Sequence, residues 1–474
     1  MKKYDMIIIG TGSAMNIVQP FLDENPHARI AVIDKDPPGG ICLTKGCIPT
    51  KLLVYPADLV REVERAGEFG IELNIGRINF KKIMQRMHSL VQPEIDGIRR
   101  GLDEDPNIDY YPVAAEFVGP YQLRITDQLI TAETLLLGLG SRPRVPPIKG
   151  LDSVKYHTSD TILQLEALPQ KLVIIGGGYI AAEFGHFFSA MGAGVTIIGR
   201  NPRFLPEEEP EISALAYKRM GKHMTILTGC EVTAATENPA GDIKVVWRET
   251  DSGQDQETVA DTILVAAGRA PNSDLLQPER GGVKTDPNGW IRVNEYLETT
   301  AENVWSFGDA IGRHMFKHAA NYESTVVYYN AVLKKSVKVD YRAVPHAVFS
   351  HPEIASVGLL EKEAVERLGR DRVLIGFQRY QDTARGEAMG VEDYFVKTIV
   401  ERISGRILGT HIIGPQAAVL IQEVVTLMYT DNPTLRPVVN GMHIHPALSE
   451  VVERAFMSLM PPERYQQMLA QDGL

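Results

Sequence analysis

The sequence contains few cysteines: Cys42, Cys47 and Cys230 are the only three in 474 residues. A reducing compartment does not maintain structural disulfides, so a close pair such as Cys42 and Cys47 is more typical of metal binding or catalysis. Cys230 stands alone in the run 225–232. It is interpreted as a small buried hydrophobic side chain.

The sequence also lacks an uninterrupted apolar run that could cross a membrane. Residues 172–198 come near to one, but they carry Glu183 and His186 and two glycine-rich breaks, so a strand–turn–helix–strand unit fits better. The first residues, MKKYDMIIIG, enter a strand-like run without the features of a secretory signal. We therefore expect a cytosolic protein with no membrane partner.

Positive charge is in deficit, because the formal net charge is −11. This balance argues against sequence-independent binding to a nucleic-acid backbone. The densest acidic run, Glu207 to Glu209, predicts a solvated loop. Hydrophobic residues make up 44% of the chain, which is enough for a substantial core, and the length favours about three domains.

A strand–glycine–helix pattern occurs twice, and its first copy opens the chain. A predicted buried strand over 6–9 leads into a glycine-rich turn, and a second predicted strand covers 29–34. The turn and the end of the second strand supply Gly10, Gly12, Ser13 and Asp34. Such glycines let the backbone approach a pyrophosphate at a helix N-terminus, while the acid can accept a bond from an adenosine ribose. Met15 stands where a third glycine would let helix and strand pack closely.

The second copy follows the predicted strand 172–175 and differs at its end. Its turn and first helical residues are Gly176, Gly178, Tyr179, Ile180 and Ala181. Gly199 stands where a ribose-binding acid would be, and Arg200 follows it. An acid there would repel a 2′-phosphate, whereas an arginine can pair with it, so this copy favours NADPH and leaves NADH open. Two such units imply two dinucleotides and a group that passes electrons between them.

The segment GGICLTKGCIPTKLL, residues 39–53, is the most specific signal in the chain. Five residues of helix rise about 7.5 Å, which exceeds the usual Cα separation of a disulfide, about 4.4–6.8 Å. A Cys42–Cys47 bond therefore needs a distorted first helical turn or a loop entering it, which Gly39, Gly40 and Gly46 make feasible. A helix N-terminus also favours the thiolate, the reactive form.

With these motifs in view, the chain resembles the class I pyridine nucleotide–disulfide oxidoreductases over nearly its whole length. That family includes glutathione reductase, dihydrolipoamide dehydrogenase, mycothione reductase and mercuric reductase. Besides the cysteine segment, four stretches carry the resemblance. They are the crossovers 137–143 (LGLGSRP) and 268–272 (GRAPN), the second FAD motif 303–310 (NVWSFGDA) and the acid/base segment 443–450 (HIHPALSE).

The resemblance implies an α/β fold with two Rossmann-like nucleotide-binding domains, one for FAD and one for NAD(P), and a C-terminal α+β dimerisation domain. The expected limits are 1–150 for the first part of the FAD domain, 151–270 for the NAD(P) domain, 271–340 for the FAD return segment and 341–474 for the last domain. It also implies a homodimer in which the last domain lends His445 to the partner's cysteine pair.

The resemblance further implies roles for single residues. Cys47 is the thiol nearest the flavin, Cys42 the interchange thiol, His445 the acid/base, Glu450 its orienting partner, Lys51 and Glu183 an ion pair beside the flavin, and Tyr179 a gate. The expected FAD contacts are Gly10, Gly12, Ser13, Asp34, Gly40, Lys51, Ala115, Gly140, Ser141, Asp309, Met315 and His318. The expected NAD(P) contacts are Gly176, Gly178, Tyr179, Ile180, Ala181, Glu183, Arg200 and Gly268. No metal site is predicted, and His443 is interpreted as structural.

Departures from the family patterns narrow the predicted activity. No cysteine follows Cys230, so the C-terminal cysteine pair of mercuric reductase and the extra redox centre of large thioredoxin reductases are absent. Residues 47–51, 351–358 and 445–453 look closest to mycothione reductases. We predict an enzyme that passes electrons between a nicotinamide, FAD, the cysteine pair and a small-molecule disulfide or dithiol. A dihydrolipoamide dehydrogenase is the alternative, and a non-catalytic flavin-binding redox sensor a minor one.

Overall fold

The computed structural model describes residues 1–472, whose strands and helices form three regions in chain order. The first contains β1 Lys2–Ile9, α1 Val18–Glu24, β2 Ile30–Ile33, α2 Gly40–Thr44, α3 Cys47–Arg65, α4 Phe80–Glu104, β3 Ile108–Tyr111, β4 Ala115–Gly119, β5 Gln122–Ile125, β6 Gln128–Leu137 and β7 Ser141–Pro143. The second contains β8 Tyr156–Thr158, β9 Lys171–Ile175, α5 Tyr179–Met191, β10 Gly194–Ile198, α6 Pro210–Met220, β11 Thr225–Leu227, β12 Cys230–Glu237, β13 Ile243–Glu249, β14 Asp255–Ala260 and β15 Thr262–Val265. The third contains β16 Arg269–Pro271, β17 Val304–Ser306, α7 Lys317–Val327, β18 Pro345–Val348, β19 Ile354–Gly358, α8 Glu361–Leu368, β20 Val373–Arg379, α9 Ala384–Ala388, β21 Phe395–Glu401, β22 Ile407–Ile413, α10 Ala417–Met428, α11 Arg436–Asn440, α12 Ser449–Met457 and α13 Pro462–Asp472.

The first sheet is built on β1, which pairs in parallel with β2 and β6. Its strand order is β3-β2-β1-β6-β5-β4, and β17 joins β6 in parallel after the chain has made the second region. All residues of β2 are buried, as expected for a parallel strand covered on both faces. The predicted turn follows β1 and continues as a 3₁₀ helix, Ser13–Ile17, so that Ala14 rather than Met15 faces Gly138.

The second region holds a parallel sheet of order β11-β10-β9-β15-β8 and, beside it, the antiparallel sheet β12-β13-β14. The predicted strand–turn–helix–strand unit is β9, α5 and β10, and Cys230 is buried at the start of β12. Strands β7 and β16 form an antiparallel ribbon, so the two predicted crossovers lie side by side. Within residues 1–472, every helix is too short or too polar to cross a membrane.

The third region ends in an antiparallel sheet of order β18-β19-β22-β21-β20, with α10 and α12 packed against it. This sheet has a core cluster of its own, made largely by aliphatic side chains of β19, β21, β22, α10 and α12. The predicted fold class, two Rossmann-like units followed by an α+β domain, is confirmed.

The acidic run does not form the predicted solvated loop. Glu207 is exposed, but Glu208 and Glu209 are buried. Glu208 Oε1 lies 2.6 Å from His346 Nε2, and its Oε2 accepts a hydrogen bond from Ser356 at 2.6 Å. The prediction was wrong for these two residues because their partners belong to the C-terminal sheet, which the local composition of the run does not reveal.

Lys397 of β21 lies in the middle of a buried cluster of carboxylates. Its Nζ is 3.1 Å from Glu209, 2.5 Å from Glu211 and 2.7 Å from Glu361, and it lies 4.8 Å from the ring centre of Tyr465. Burial disfavours the charged amine, but the carboxylates outweigh it and hold the pKa of Lys397 above its usual value. The cluster joins the start of α6 in the second region to the C-terminal sheet.

Replacing Lys397 by methionine should strongly destabilise the protein, because the buried Glu209 and Glu211 and the half-buried Glu361 would lose their shared cation. We expect a loss of about 3–5 kcal/mol in the free energy of unfolding, measured by urea denaturation at neutral pH. The matched control is Lys362→Met, since Lys362 is 84% exposed and 3.9 Å from Glu366. It should cost no more than about 1 kcal/mol. Equal, small losses in both variants would contradict the importance of the cluster.

Candidate active site

The two cysteines flank a break between helices. Cys42 lies in α2, whereas Cys47 is the first residue of α3, and the chain leaves helical geometry at Gly46, with φ −128° and ψ −119°. A Cβ atom on Gly46 would lie 2.9 Å from the carbonyl oxygen of Ile41, so a larger residue would not fit without a shift. The predicted distortion is therefore present. Both cysteines are free thiols here, Cys42 half-buried and Cys47 exposed.

The two thiols differ in their electrostatics. A hydrogen bond from Cys42, the positive charge of Lys51 and a backbone amide lower the pKa of Cys47 to about 6, against the desolvation of its sulfur by surrounding protein atoms. The same hydrogen bond and burial raise the pKa of Cys42, although the charge of Lys317 opposes them. In the reduced pair, Cys47 therefore carries the thiolate and Cys42 keeps its proton.

Lys51, one helical turn after Cys47, binds the buried Glu183 of α5. Its Nζ lies 2.6 Å from Glu183 Oε2, and Glu183 Oε1 accepts a hydrogen bond from the backbone N–H of Phe349 at 3.0 Å. The Lys51 ammonium also lies 4.7 Å from the ring centre of Phe349. Three chain segments thus meet beside the cysteine pair. Sequence reasoning missed Phe349, since nothing local marks a residue 166 positions from Glu183 as its partner.

The first glycine turn and the cysteine segment are in direct contact. A Cβ atom on Gly40 would lie 2.6 Å from Gly12 Cα, and one on Gly10 would collide with the carbonyl oxygen of Gly138. Next to this contact, a cleft is lined by Gly10, Asp34 and Ala115, among others. Asp34 Oδ2 accepts hydrogen bonds from the Thr11 amide at 2.8 Å and from its hydroxyl at 2.6 Å. Bare backbone and an acid beside a cleft fit the adenosine half of a dinucleotide.

The other predicted FAD residues are joined by hydrogen bonds between distant segments. Arg269 donates to Ser141 at 2.5 Å, and Ser141 donates to Asp309 at 2.5 Å. Lys317 of α7 donates to Ser13 at 2.9 Å. Gly140 has φ +63°, Met315 is half-buried, and His318 Nε2 lies 2.8 Å from the carbonyl oxygen of Pro345. Nothing in the local sequence marks Lys317, and Arg269 lies in the crossover motif 268–272 without a predicted contact.

The second glycine turn leaves open space at the N-terminus of α5. A Cβ atom on Gly178 would meet nothing within 4 Å, whereas one on Gly176, at φ +132°, would collide with the carbonyl oxygen of Ala266. Three of the predicted NAD(P) residues, Tyr179, Ile180 and Ala181, form the first turn of α5. An open amide-lined end of a helix fits the pyrophosphate of a second dinucleotide.

Two further predicted NAD(P) residues lie at the ends of strands. Arg200 is exposed after β10, and none of the ion pairs in the described residues involves it. Gly199 is close-packed, since a Cβ atom there would lie 3.3 Å from Gly177 Cα. Gly268 has φ +101°, and its carbonyl accepts a hydrogen bond from the Arg144 amide at 2.9 Å.

His445 and Glu450 form a second group. His445 Nδ1 lies 3.1 Å from Glu450 Oε1, and the buried Glu450 also accepts a hydrogen bond from Arg454 at 3.1 Å. The hydrogen bond with His445 is the largest of several effects that lower the pKa of Glu450. The His445 side chain is 67% exposed. Across residues 1–472, neither a hydrogen bond nor an ion pair links it to the cysteines.

Family comparisons agree with this arrangement. Residues 4–325 match the family model of the pyridine nucleotide-disulphide oxidoreductases, and residues 344–456 match the dimerisation domain of the same family. The chain belongs to the class I pyridine nucleotide–disulfide oxidoreductases. It is thus a flavoprotein oxidoreductase that acts on sulfur groups, in a family whose members bind FAD and NAD(P)H.

Particular relatives cover almost the whole chain. Mycothione reductase of Mycobacterium tuberculosis is 38% identical over 97% of this chain and 100% of its own length. Dihydrolipoyl dehydrogenase of Synechocystis is 31% identical over 96% of this chain and 98% of its own. The Cu(II) complex of the HOCl-induced flavoprotein disulfide reductase RclA from Escherichia coli superposes with a TM-score of 0.84 at 27% identity, over 96% of this chain and 99% of that one.

The unequal thiols predict a specific pH dependence of alkylation. In the reduced protein, the rate at which iodoacetamide modifies Cys47, followed by peptide mass spectrometry, should be half-maximal near pH 6 and rise with pH as the thiolate forms. Cys42→Ala and Lys51→Met should each move that midpoint upward, since each removes a stabilising contact. Cys230→Ser, at a buried thiol, should leave it unchanged. A parent midpoint near the ordinary value of about 8.5 would contradict the asymmetry.

Proposed function

We propose that this protein is an NADPH-dependent, homodimeric reductase of a low-molecular-weight disulfide, of the mycothione or glutathione reductase type. The observation that carries the proposal is the unequal thiol pair, with a thiolate at Cys47 and a protonated Cys42, placed between two glycine turns suited to dinucleotides. The domain limits at 150, 270 and 340 belong to the same proposal. The 38% identity to a mycothione reductase favours this substrate class over dihydrolipoyl groups.

In the proposed cycle, Cys42 is the nucleophile. Its proton passes to His445, and its sulfur bonds to one substrate sulfur while the other leaves and takes the proton from His445. The Cys47 thiolate then attacks the Cys42 sulfur, which reforms the Cys42–Cys47 disulfide and releases the second thiol after protonation from solvent. Two electrons thus pass from the cysteine pair to the substrate. Bound FAD and NADPH supply the two-electron reduction that restores the dithiol.

The acid/base in this scheme comes from a second copy of the chain. The His445 side chain is exposed, and its contact is with Glu450 of the same C-terminal region. The cysteine pair lies in the first region of the chain. A dimerisation domain that matches residues 344–456 supports an arrangement in which each cysteine pair faces the His445 of the partner. The Glu450 carboxylate fixes the ring so that Nε2 is the nitrogen that exchanges the proton.

A dihydrolipoyl dehydrogenase remains the second candidate, because the same pair can oxidise a dithiol with NAD⁺ as acceptor. Its relatives cover as much of the chain, at lower identity. The redox-sensor alternative is weaker, since a non-catalytic protein has no need for both thiols together with His445 and Glu450. Turnover of purified protein with a panel of disulfides and dithiols separates the three.

The nicotinamide preference can be tested at Arg200. Arg200→Ala should lower kcat/KM for NADPH about 5- to 150-fold, corresponding to the loss of a charge-assisted contact of about 1–3 kcal/mol, and should leave NADH unchanged. The test changes Arg200 alone and leaves Gly199 as it is, because a side chain at Gly199 would press on Gly177. Lys222→Ala, which removes an exposed charge after α6, is the control. An unmodified enzyme that strongly prefers NADH would overturn the assignment and favour the dehydrogenase.

The roles of the thiols and the histidine can be separated by stopped-flow absorbance. Cys42→Ser, Cys47→Ser and His445→Ala should all allow flavin reduction by NADPH, because that half-reaction does not use these groups. Both cysteine variants should lack disulfide turnover, whereas His445→Ala should slow exchange about 10²- to 10⁴-fold. Glu450→Gln should slow it less, since Glu450 only orients the ring. Should His445→Ala slow flavin reduction and spare exchange, the role of His445 would have to be withdrawn.

A further inference from the structure

We infer that His443 is a positioning residue, which fixes the loop presenting His445 by clamping that loop between α10 and α12. The inference deepens the proposed function, because it rests on His445 acting as the acid/base. It assigns a role in the reaction to a histidine whose sequence context indicates only packing.

The clamp consists of two carboxylates on two different helices. His443 Nε2 is hydrogen-bonded to Glu423 Oε1 of α10 at 3.1 Å. His443 Nδ1 lies 3.5 Å from Glu453 Oε1 of α12, which is within ion-pair distance but is not a hydrogen bond. The His443 side chain is almost fully buried between them, at 9% exposure. It cannot reach a substrate from there, so any effect on the reaction must pass through another residue.

Within its own chain, the loop of residues 441–448 buries one other residue, Leu448 at its end. Met442 and Ile444, on either side of His443, are both strongly exposed, and so is His445. The residues on both sides of His443 therefore point outward while His443 points inward. The buried His443 side chain therefore anchors this part of the loop, and the exposed His445 imidazole follows two residues later.

The two histidines attach to α12 in register. Glu450 and Glu453 are one helical turn apart on α12. Glu450 is hydrogen-bonded to His445, and Glu453 lies within ion-pair distance of His443. A contact at His445 alone would leave the loop free to rotate about that contact. Contacts at both His443 and His445 define the direction of the His445 ring. Proton transfer requires a well-defined position of the His445 ring, because a misplacement of the reacting groups by about 1 Å can lower the rate about 10²-fold.

The first test compares variants of the clamp in the two half-reactions of the holoenzyme. His443→Ala should slow disulfide exchange about 10- to 100-fold and leave flavin reduction by NADPH unchanged. His443→Gln, which keeps an amide donor towards one carboxylate, should lose less, and Glu423→Ala should resemble His443→Ala. His27→Ala, at an exposed histidine after α1, is the control and should change neither half-reaction. Unchanged exchange in both His443 variants would overturn the inference.

A double-mutant cycle separates positioning from general destabilisation. If His443 acts only through His445, adding His443→Ala to His445→Ala should slow exchange no further. A further slowing by the same factor as in the parent would show an independent structural effect and overturn the inference. If His445→Ala alone leaves exchange intact, the proposed function fails instead. If His443→Ala does not fold, His443→Gln takes its place in the cycle. Its smaller effect on exchange should likewise be absent in the His445→Ala background.

Discussion

The contact between Gly12 and Gly40 is the constraint on which the active-site geometry depends. Because neither residue has a side chain, the cysteine segment lies directly on the first glycine turn, with no room for a Cβ atom on Gly40. This contact fixes where α2 and α3 begin, and hence where the two thiols stand. One turn further along α3, Lys51 meets Glu183 and so ties the cysteine helix to the helix of the second dinucleotide site.

The chemistry at Cys47 is a balance of opposed charges around one ammonium group. Glu183 raises the pKa of Cys47, whereas Lys51 and the Cys42 thiol lower it by more. Lys51 therefore serves two anions, a buried carboxylate and an exposed thiolate. Such sharing stabilises the thiolate without placing an unpaired cation in the site when the pair is oxidised, since the carboxylate remains as partner.

What the sequence could predict depended on distance along the chain. The break between the cysteines and the two glycine turns follow from residues within a few positions of one another, and the structure has them. The paired crossovers and the Lys51–Glu183 ion pair join distant segments, and they were expected only from the family resemblance. Contacts between distant segments left no local pattern. Lys317 reaches Ser13 across 304 positions, and Glu208 reaches His346 across 138. A run of three glutamates predicts a solvent-exposed loop unless its partners are known. This explains why the prediction was wrong for Glu208 and Glu209.

The buried cluster around Lys397 has a consequence for how the protein comes apart. Glu209 and Glu211 belong to the second region, whereas Glu361 and Lys397 belong to the C-terminal domain. If either region unfolded alone, the charges of the other would lose their counter-ions, and losing a buried partner costs far more than losing a surface one. Domains joined by small polar interfaces commonly unfold one at a time. Here the shared ions couple the two regions, and we expect them to unfold together in a single cooperative event.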